Sequence, residues 1–282
     1  MIGCSLKHRG DELLGQRGGL ARYEATGSTM GIPLLHPWAN RLAGYRYSAA
    51  DRTVELDPAS PLIHQDPNGL PIHGLLAASP YWELVGTDAD FTSARLLARL
   101  DYAAHPELLE GFPFPHELQI EVNLQGPTLT LRTALTATGD SAVSVSFGYH
   151  PYLLLPSVER ADWHVEIPAT EHLVLDDRMI PTGATEPATI EPGRLGDRTF
   201  DDGFTGLGER PRFVLAGGGR RITVEFVDGY PYAQVYAPED DDVICFEPMT
   251  APTNALVSGD DLPLVEPGDS RSATFSITVE RG

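Results

Sequence analysis

The chain has a single lysine and two cysteines, and it is short of positive charge: 282 residues carry 40 Asp plus Glu against 20 Lys plus Arg, a formal charge of -20. A negative surplus of that size repels phosphate backbones and argues against nucleic acid as a partner. The lone lysine, Lys7, lies in a polar N-terminal stretch poorly placed for a desolvated pocket, which nearly excludes Schiff-base chemistry. Cys4 and Cys245 are too few for a thiolate zinc cluster or a disulfide framework, and they fit a reducing compartment. No run approaches the roughly 18 apolar residues of a membrane span. The stretch from Met1 to Leu20 has no apolar segment of the kind a signal peptide needs. These absences read as a soluble, cytoplasmic protein with no membrane association.

Sustained helical periodicity is also missing, and the segment from Asp11 to Arg17 is too short to count. What is present is alternation. From Glu117 to Thr136, Leu118, Ile120, Val122 and Leu124 alternate with polar residues, Gly126-Pro127 turns the chain, and Leu129, Leu131 and Leu135 continue the period of two. This predicts a hairpin with one buried face. A second hairpin is predicted from Arg212 to Val227 around Gly217-Gly218-Gly219, where a phosphate cradle is disfavoured because the glycines do not open a helix. Further strands are expected at 53–56, 94–102, 142–147, 163–167, 233–236, 243–246 and 273–279. Gly (28) and Pro (24) are spread as punctuation, without a linker or a fixed repeat. The expected architecture is all-β, a large antiparallel sandwich forming a single domain over residues 1–282.

Standard catalytic signatures fail: there is no Gly-x-Ser-x-Gly elbow, no Walker loop and no His-Glu-x-x-His. The nine histidines never fall at metal-ligand spacing, and the acidic run Glu239 to Asp242 reads as a solvated turn. The informative residues are those whose placement is costly. Glu247 follows Val243-Ile244-Cys245-Phe246, so a carboxylate ends an apolar strand, where burial is expensive unless the group is bonded or working. His150 lies between Tyr149 and Tyr152 at the end of another strand. A packing histidine and a proton donor are both open readings there. His73 sits in a turn-rich loop. In His36-Pro37-Trp38-Ala39-Asn40-Arg41, an amide and a guanidinium beside an indole supply donors and acceptors suited to sugar hydroxyls, although a surface turn with Arg41 stacked on Trp38 explains them equally. Phe200-Asp201-Asp202-Gly203-Phe204 sets two carboxylates between aromatics, which an Asx turn also explains.

Taken in order, these segments resemble the aldose 1-epimerase (galactose mutarotase) family. The matching features are Pro37-Trp38-Ala39-Asn40-Arg41, His73-Gly74 with Trp82 following, His150-Pro151-Tyr152, Asp201 to Phe204, and Glu247-Pro248 with Asn254 close behind. The resemblance implies a β-supersandwich enzyme that interconverts the α and β anomers of an aldose without any cofactor or metal. It makes Glu247 the general base and His150 the general acid, and it assigns Arg41, His73 and Asp201 to the sugar's hydroxyls, with Asn40, Trp38 and Tyr152 as further substrate contacts. Where the family often has an Arg after the His-Gly, this chain reads Leu75-Leu76-Ala77-Ala78.

The chemistry agrees, since ring opening needs a base at the anomeric hydroxyl and an acid at the ring oxygen. Intrinsic values of about 4.3 for Glu and about 6.5 for His make the pair ionised and cationic just below neutrality. The expected geometry has Glu247 and His150 facing each other across a sugar-sized pocket. The expected partner is a small sugar, with oligomeric state and preferred aldose unread. A hexose-phosphate mutarotase on the same fold ranks second, since no arginine cluster is evident and the charge suits a neutral sugar. A glycosidase using Asp201 and Glu247 leaves His150 unexplained, and a binding module keeping Arg41, Trp38, Trp82 and Tyr152 leaves the acid-base pair unexplained.

Overall fold

In the computed structural model, which describes residues 1–282, the alternating segments pair into two antiparallel sheets of nine strands each. The first sheet runs in the order Ile2–Gly3, Ile32–Leu35, Gly148–Tyr149, Ile244–Met249, Tyr232–Ala237, Phe200–Thr205, Glu171–Leu175 and Pro181–Pro187, with Tyr152–Leu153 also paired to Ile244–Met249. The second runs Gly193–Arg194, His164–Glu166, Arg212–Gly217, Arg220–Asp228, Ser270–Arg281, Thr128–Ala137, His116–Gln125, Ser93–Asp101 and Glu83–Ala89. Both predicted hairpins form, closed by two-residue turns at Gly126-Pro127 and Gly218-Gly219.

The sheets stack over a core of 52 buried residues contributed by both. Phe246 of the first sheet lies 5.3 Å, ring centre to ring centre, from Phe213 of the second, and Tyr149 lies 5.0 Å from Phe275. Each such aromatic contributes on the order of 1.5–3 kcal/mol by leaving water. Ile244 and Phe246 point into this core, so their strand neighbours Cys245 and Glu247 must point to the sheet's other face. That face is covered by the loop through residues 36–42, whose Ala39 packs with Leu35, Leu173, Tyr232 and Met249.

Several elements depart from the sequence expectation. A helix occupies Gly19–Thr26; only Tyr23 of it is buried, so it presents almost no apolar stripe for a pattern search to find. The expected strand at 142–147 shrinks to Val143–Ser144. Phe200–Thr205 is a strand instead of an Asx turn, and it pairs along its length with Tyr232–Ala237. The strands Glu83–Ala89 and Pro181–Pro187 carry no alternation because both are almost wholly exposed. No helix is long and apolar enough to cross a membrane.

Candidate active site

Register decides which side chains meet. Gln234 lies opposite Glu247, Tyr236 opposite both Cys245 and Asp201, and Tyr152 opposite Cys245. Directly paired residues project to the same face. Asp201, Gln234, Tyr236, Glu247 and Tyr152 therefore form one floor on the face turned away from the core. His150 joins it just beyond the strand Gly148–Tyr149, its backbone N–H donating to the Pro33 carbonyl at 3.2 Å. Gly148 is required here: a Cβ would stand 2.7 Å from the Pro248 carbonyl oxygen and 2.9 Å from the Ala39 side chain.

Two loops build the wall. Bridges from His36 to Gly74 and from Arg41 to Ile72 lay the 36–42 loop along 71–75, and a Cβ on Gly74 would fall 2.1 Å from the His36 carbonyl oxygen. Asn40 (φ 54) and His73 (φ 65) both adopt the left-handed conformation, a strain that Asn tolerates better than most residues. Asn254 fastens this loop from outside: its backbone N–H donates to the Arg41 carbonyl at 3.0 Å, and its Oδ1 accepts from the Ala43 N–H at 2.7 Å. The Arg41 guanidinium is fixed by Nε donating to Asp66 at 2.9 Å, Nη1 to Asn40 Oδ1 at 3.1 Å and Nη2 to Asp201 at 3.4 Å. Gln234 Nε2 donates to the other Asp201 oxygen at 2.7 Å.

At the bottom, His150 Nε2 lies 3.2 Å from Glu247 Oε1, with the residues 5% and 1% exposed. Tyr152 stacks on the His150 ring at 4.2 Å and sets its hydroxyl 3.3 Å from the same nitrogen. Glu247 Oε2, His150 Nδ1 and His73 Nδ1 are buried without any hydrogen-bond partner. Three orphaned polar atoms at one place are a costly arrangement that structure alone does not require. Burial pushes Glu247 well above the ordinary carboxylate range, with Asp201 adding to it and Arg41 opposing. Burial also pushes His150 well below the ordinary imidazole value, helped by His73. His73 is itself driven down to about 3 by burial and by Arg41.

The structure thus brings Asn40, Arg41, His73, His150, Tyr152, Asp201 and Glu247 to one cleft of about 170 Å³. Two expectations need correction. Trp38 does not line the cleft; it is 1% exposed and packs in the main core, because the bridge to Ser146 turns it inward. Glu247 and His150 do not face each other across a pocket but touch. Burial disfavours both the ionised form of Glu247 and the cationic form of His150. Asp201 and Asp202 separate by strand alternation, since Asp202 contacts His172 on the other side at 3.0 Å.

Residues that sequence reasoning passed over also line the cleft: Arg17, Thr29, Ile72 and Tyr236. Arg17 came from a segment too short to classify, and nothing in its neighbours signals a site. The acidic run is not wholly solvated either, since Asp241 pairs with Arg17 at 3.3 Å. Larger hollows, one of about 480 Å³ beside Arg210 and Arg271 and one of about 430 Å³ beside Tyr232 and Asp261, contain no comparable acid-base pair.

Comparison with known proteins places this geometry in context. A model of the family described as aldose 1-epimerase matches residues 4–278. YihR, an uncharacterized protein of Escherichia coli (strain K12), is 25% identical over 266 residues, 89% of this chain and 81% of its own length. A galactose mutarotase-like protein from Clostridium acetobutylicum has the same fold, with a TM-score of 0.85 at 19% identity, covering 100% of this chain and 90% of that one. The galactose 1-epimerase of Lactobacillus acidophilus NCFM aligns with a TM-score of 0.77 at 16% identity, covering 100% and 90%.

Proposed function

The chain belongs to the aldose 1-epimerase family, and from that premise we propose that it interconverts the α and β anomers of a free aldohexose such as glucose or galactose. The observation that carries this reading is the buried Glu247–His150 contact with its unpartnered oxygen and nitrogen at the floor of a cleft. Residues 1–282 are taken as one domain, a view supported by the core the two sheets share.

Glu247 takes the proton of the anomeric hydroxyl while His150 gives a proton to the ring oxygen. The bond between the anomeric carbon and the ring oxygen breaks, leaving a free aldehyde. After rotation the ring recloses on the other face, and the two protons return. Both reacting oxygens sit on the same carbon, so an acid and a base in contact suit the reaction better than a pair set apart. The step starts with Glu247 ionised and the proton on His150, since one group must give while the other takes. Arg41 favours the carboxylate form of Glu247 and so works toward its role as base, against the pull of burial. Asn40, Arg41, His73 and Asp201 bind the ring hydroxyls, with His73 kept neutral and thus able to donate or accept.

Each positioned proton transfer is worth roughly 10²- to 10⁴-fold. Polarimetry on freshly dissolved α-glucose and α-galactose tests the reading. Wild type should accelerate the approach to anomeric equilibrium, and Glu247→Gln should lose at least about 10²-fold. Rates no faster with wild type than in buffer would sink the proposal and favour a binding protein.

A further inference from the structure

Arg17 is the cation in the cleft that the reaction leaves unused. The Arg41 guanidinium is spent on Asp66, Asp201 and Asn40. Arg17, by contrast, meets a carboxylate only through Nε, which lies 3.3 Å from Asp241, while Nη1 donates to the Tyr152 hydroxyl at 3.2 Å. Its Nη2 makes no hydrogen bond within the protein, and its side chain is 40% exposed at the cleft. A guanidinium offers donors only, and its planar fork matches an oxyanion.

Stereochemistry says which part of a sugar this group meets, given the anomer-exchange reading above. In a pyranose the ring oxygen joins the anomeric carbon to C5, and C5 carries the exocyclic carbon. With the anomeric oxygen at Glu247 and the ring oxygen at His150, the exocyclic carbon projects beyond His150. There stands Tyr152, whose hydroxyl is 3.3 Å from His150 Nε2, 3.2 Å from Arg17 Nη1 and 2.6 Å from the Thr29 hydroxyl. Asp201, Asn40 and Arg41 occupy the cleft's other side as the hydroxyl readers. A hydroxymethyl group needs a donor and an acceptor, which Thr29 and Tyr152 already supply; it has no use for a net positive charge.

We propose that the preferred substrate is an aldose whose exocyclic carbon bears a monoanionic oxyanion, of the carboxylate kind found in hexuronic acids, held by Arg17 with Thr29 beside it. Asp241 is the internal carboxylate that meets the fork at Nε. One guanidinium with a single free nitrogen suits a single negative charge and not a phosphate dianion, which would call for several converging donors.

The experiment compares kcat/KM for D-glucuronate with D-glucose, and for D-galacturonate with D-galactose, alongside glucose 6-phosphate. Wild type should favour each uronate over its neutral counterpart, and Arg17→Gln should lower the uronate-to-neutral ratio by about 10- to 100-fold, the loss of one charge-assisted contact. Asp241→Asn should raise that ratio, a gain that misfolding cannot imitate. An unmoved ratio in both variants, or a wild-type preference for the neutral sugars or for the phosphate, overturns the proposal. Should wild type accelerate none of these sugars, the anomer-exchange reading fails separately. Calorimetric binding of D-glucuronate then decides the matter: tenfold weaker binding to Arg17→Gln supports the Arg17 site, and equal binding refutes it.

Discussion

The strands Ile244–Met249 and Glu83–Ala89 are of similar length and each contains glutamate, yet every residue of the first is buried and every residue of the second is exposed. One is central in its sheet with the core beneath and a loop above; the other is the free edge of the second sheet. Glu83 pairs with Arg99 at 2.9 Å in water, an arrangement worth little. Glu247, with 1% exposure and an orphaned oxygen, is held where a carboxyl group is expensive. The contrast teaches that a glutamate in a strand is informative only when the strand has no wet face.

The sharpest way to break this comparison is within the central strand itself. Glu247→Gln should lose at least about 10²-fold in anomer exchange while costing no more than about 1 kcal/mol of stability, because the amide fills the same volume. A large stability loss in urea unfolding would mean that the carboxyl group is structural. The neighbouring Phe246→Ala, by emptying a site against Phe213 in the core, should cost about 3–5 kcal/mol.

Next in size is a pH effect. Burial lowers His36, His116 (to about 4) and His150 below the ordinary imidazole value, so each contributes stability that is fully present above about 6.5 and lost as pH falls toward its folded value. Between pH 7 and 5.5 His116 should forfeit about 1 kcal/mol, and His36 and His150 act in the same direction. Glu247, raised instead, contributes with the opposite sign: its share is full below the ordinary carboxylate value and is lost progressively as pH rises toward its folded value, so it offsets part of the histidine loss over the same window. In Glu247→Gln, where that offset is gone, denaturation midpoints that stay level from pH 7 to 5.5 would contradict the histidine contribution. Smallest is the edge strand, where Val85→Thr at a 53% exposed position should move stability by no more than about 0.5 kcal/mol.

Much of this was legible from residues alone. The alternation from Glu117 to Thr136 announced its hairpin because one face of that pair is buried and the other wet. Glu247 stood out because an apolar run interrupted by a carboxylate is rare enough to ask for a reason. The helix Gly19–Thr26 and the exposed edge strands stayed hidden, since elements that bury almost nothing leave no periodicity to read.

By itself, then, the sequence determined the fold class and the two hairpins, because a period of two is a local property, and it marked Glu247 by the cost of a buried charge; most of the other residues that gather in the cleft it offered only through the ordered motifs that resemble the family. Tertiary structure alone decided that Asp201 enters the cleft while Asp202 turns to His172, that Trp38 goes to the core, and that Glu247 and His150 touch. It alone brought Arg17 to Tyr152. Each of these depends on strand register and on the path of loops between distant segments, and neither is encoded in the spacing of neighbours along the chain.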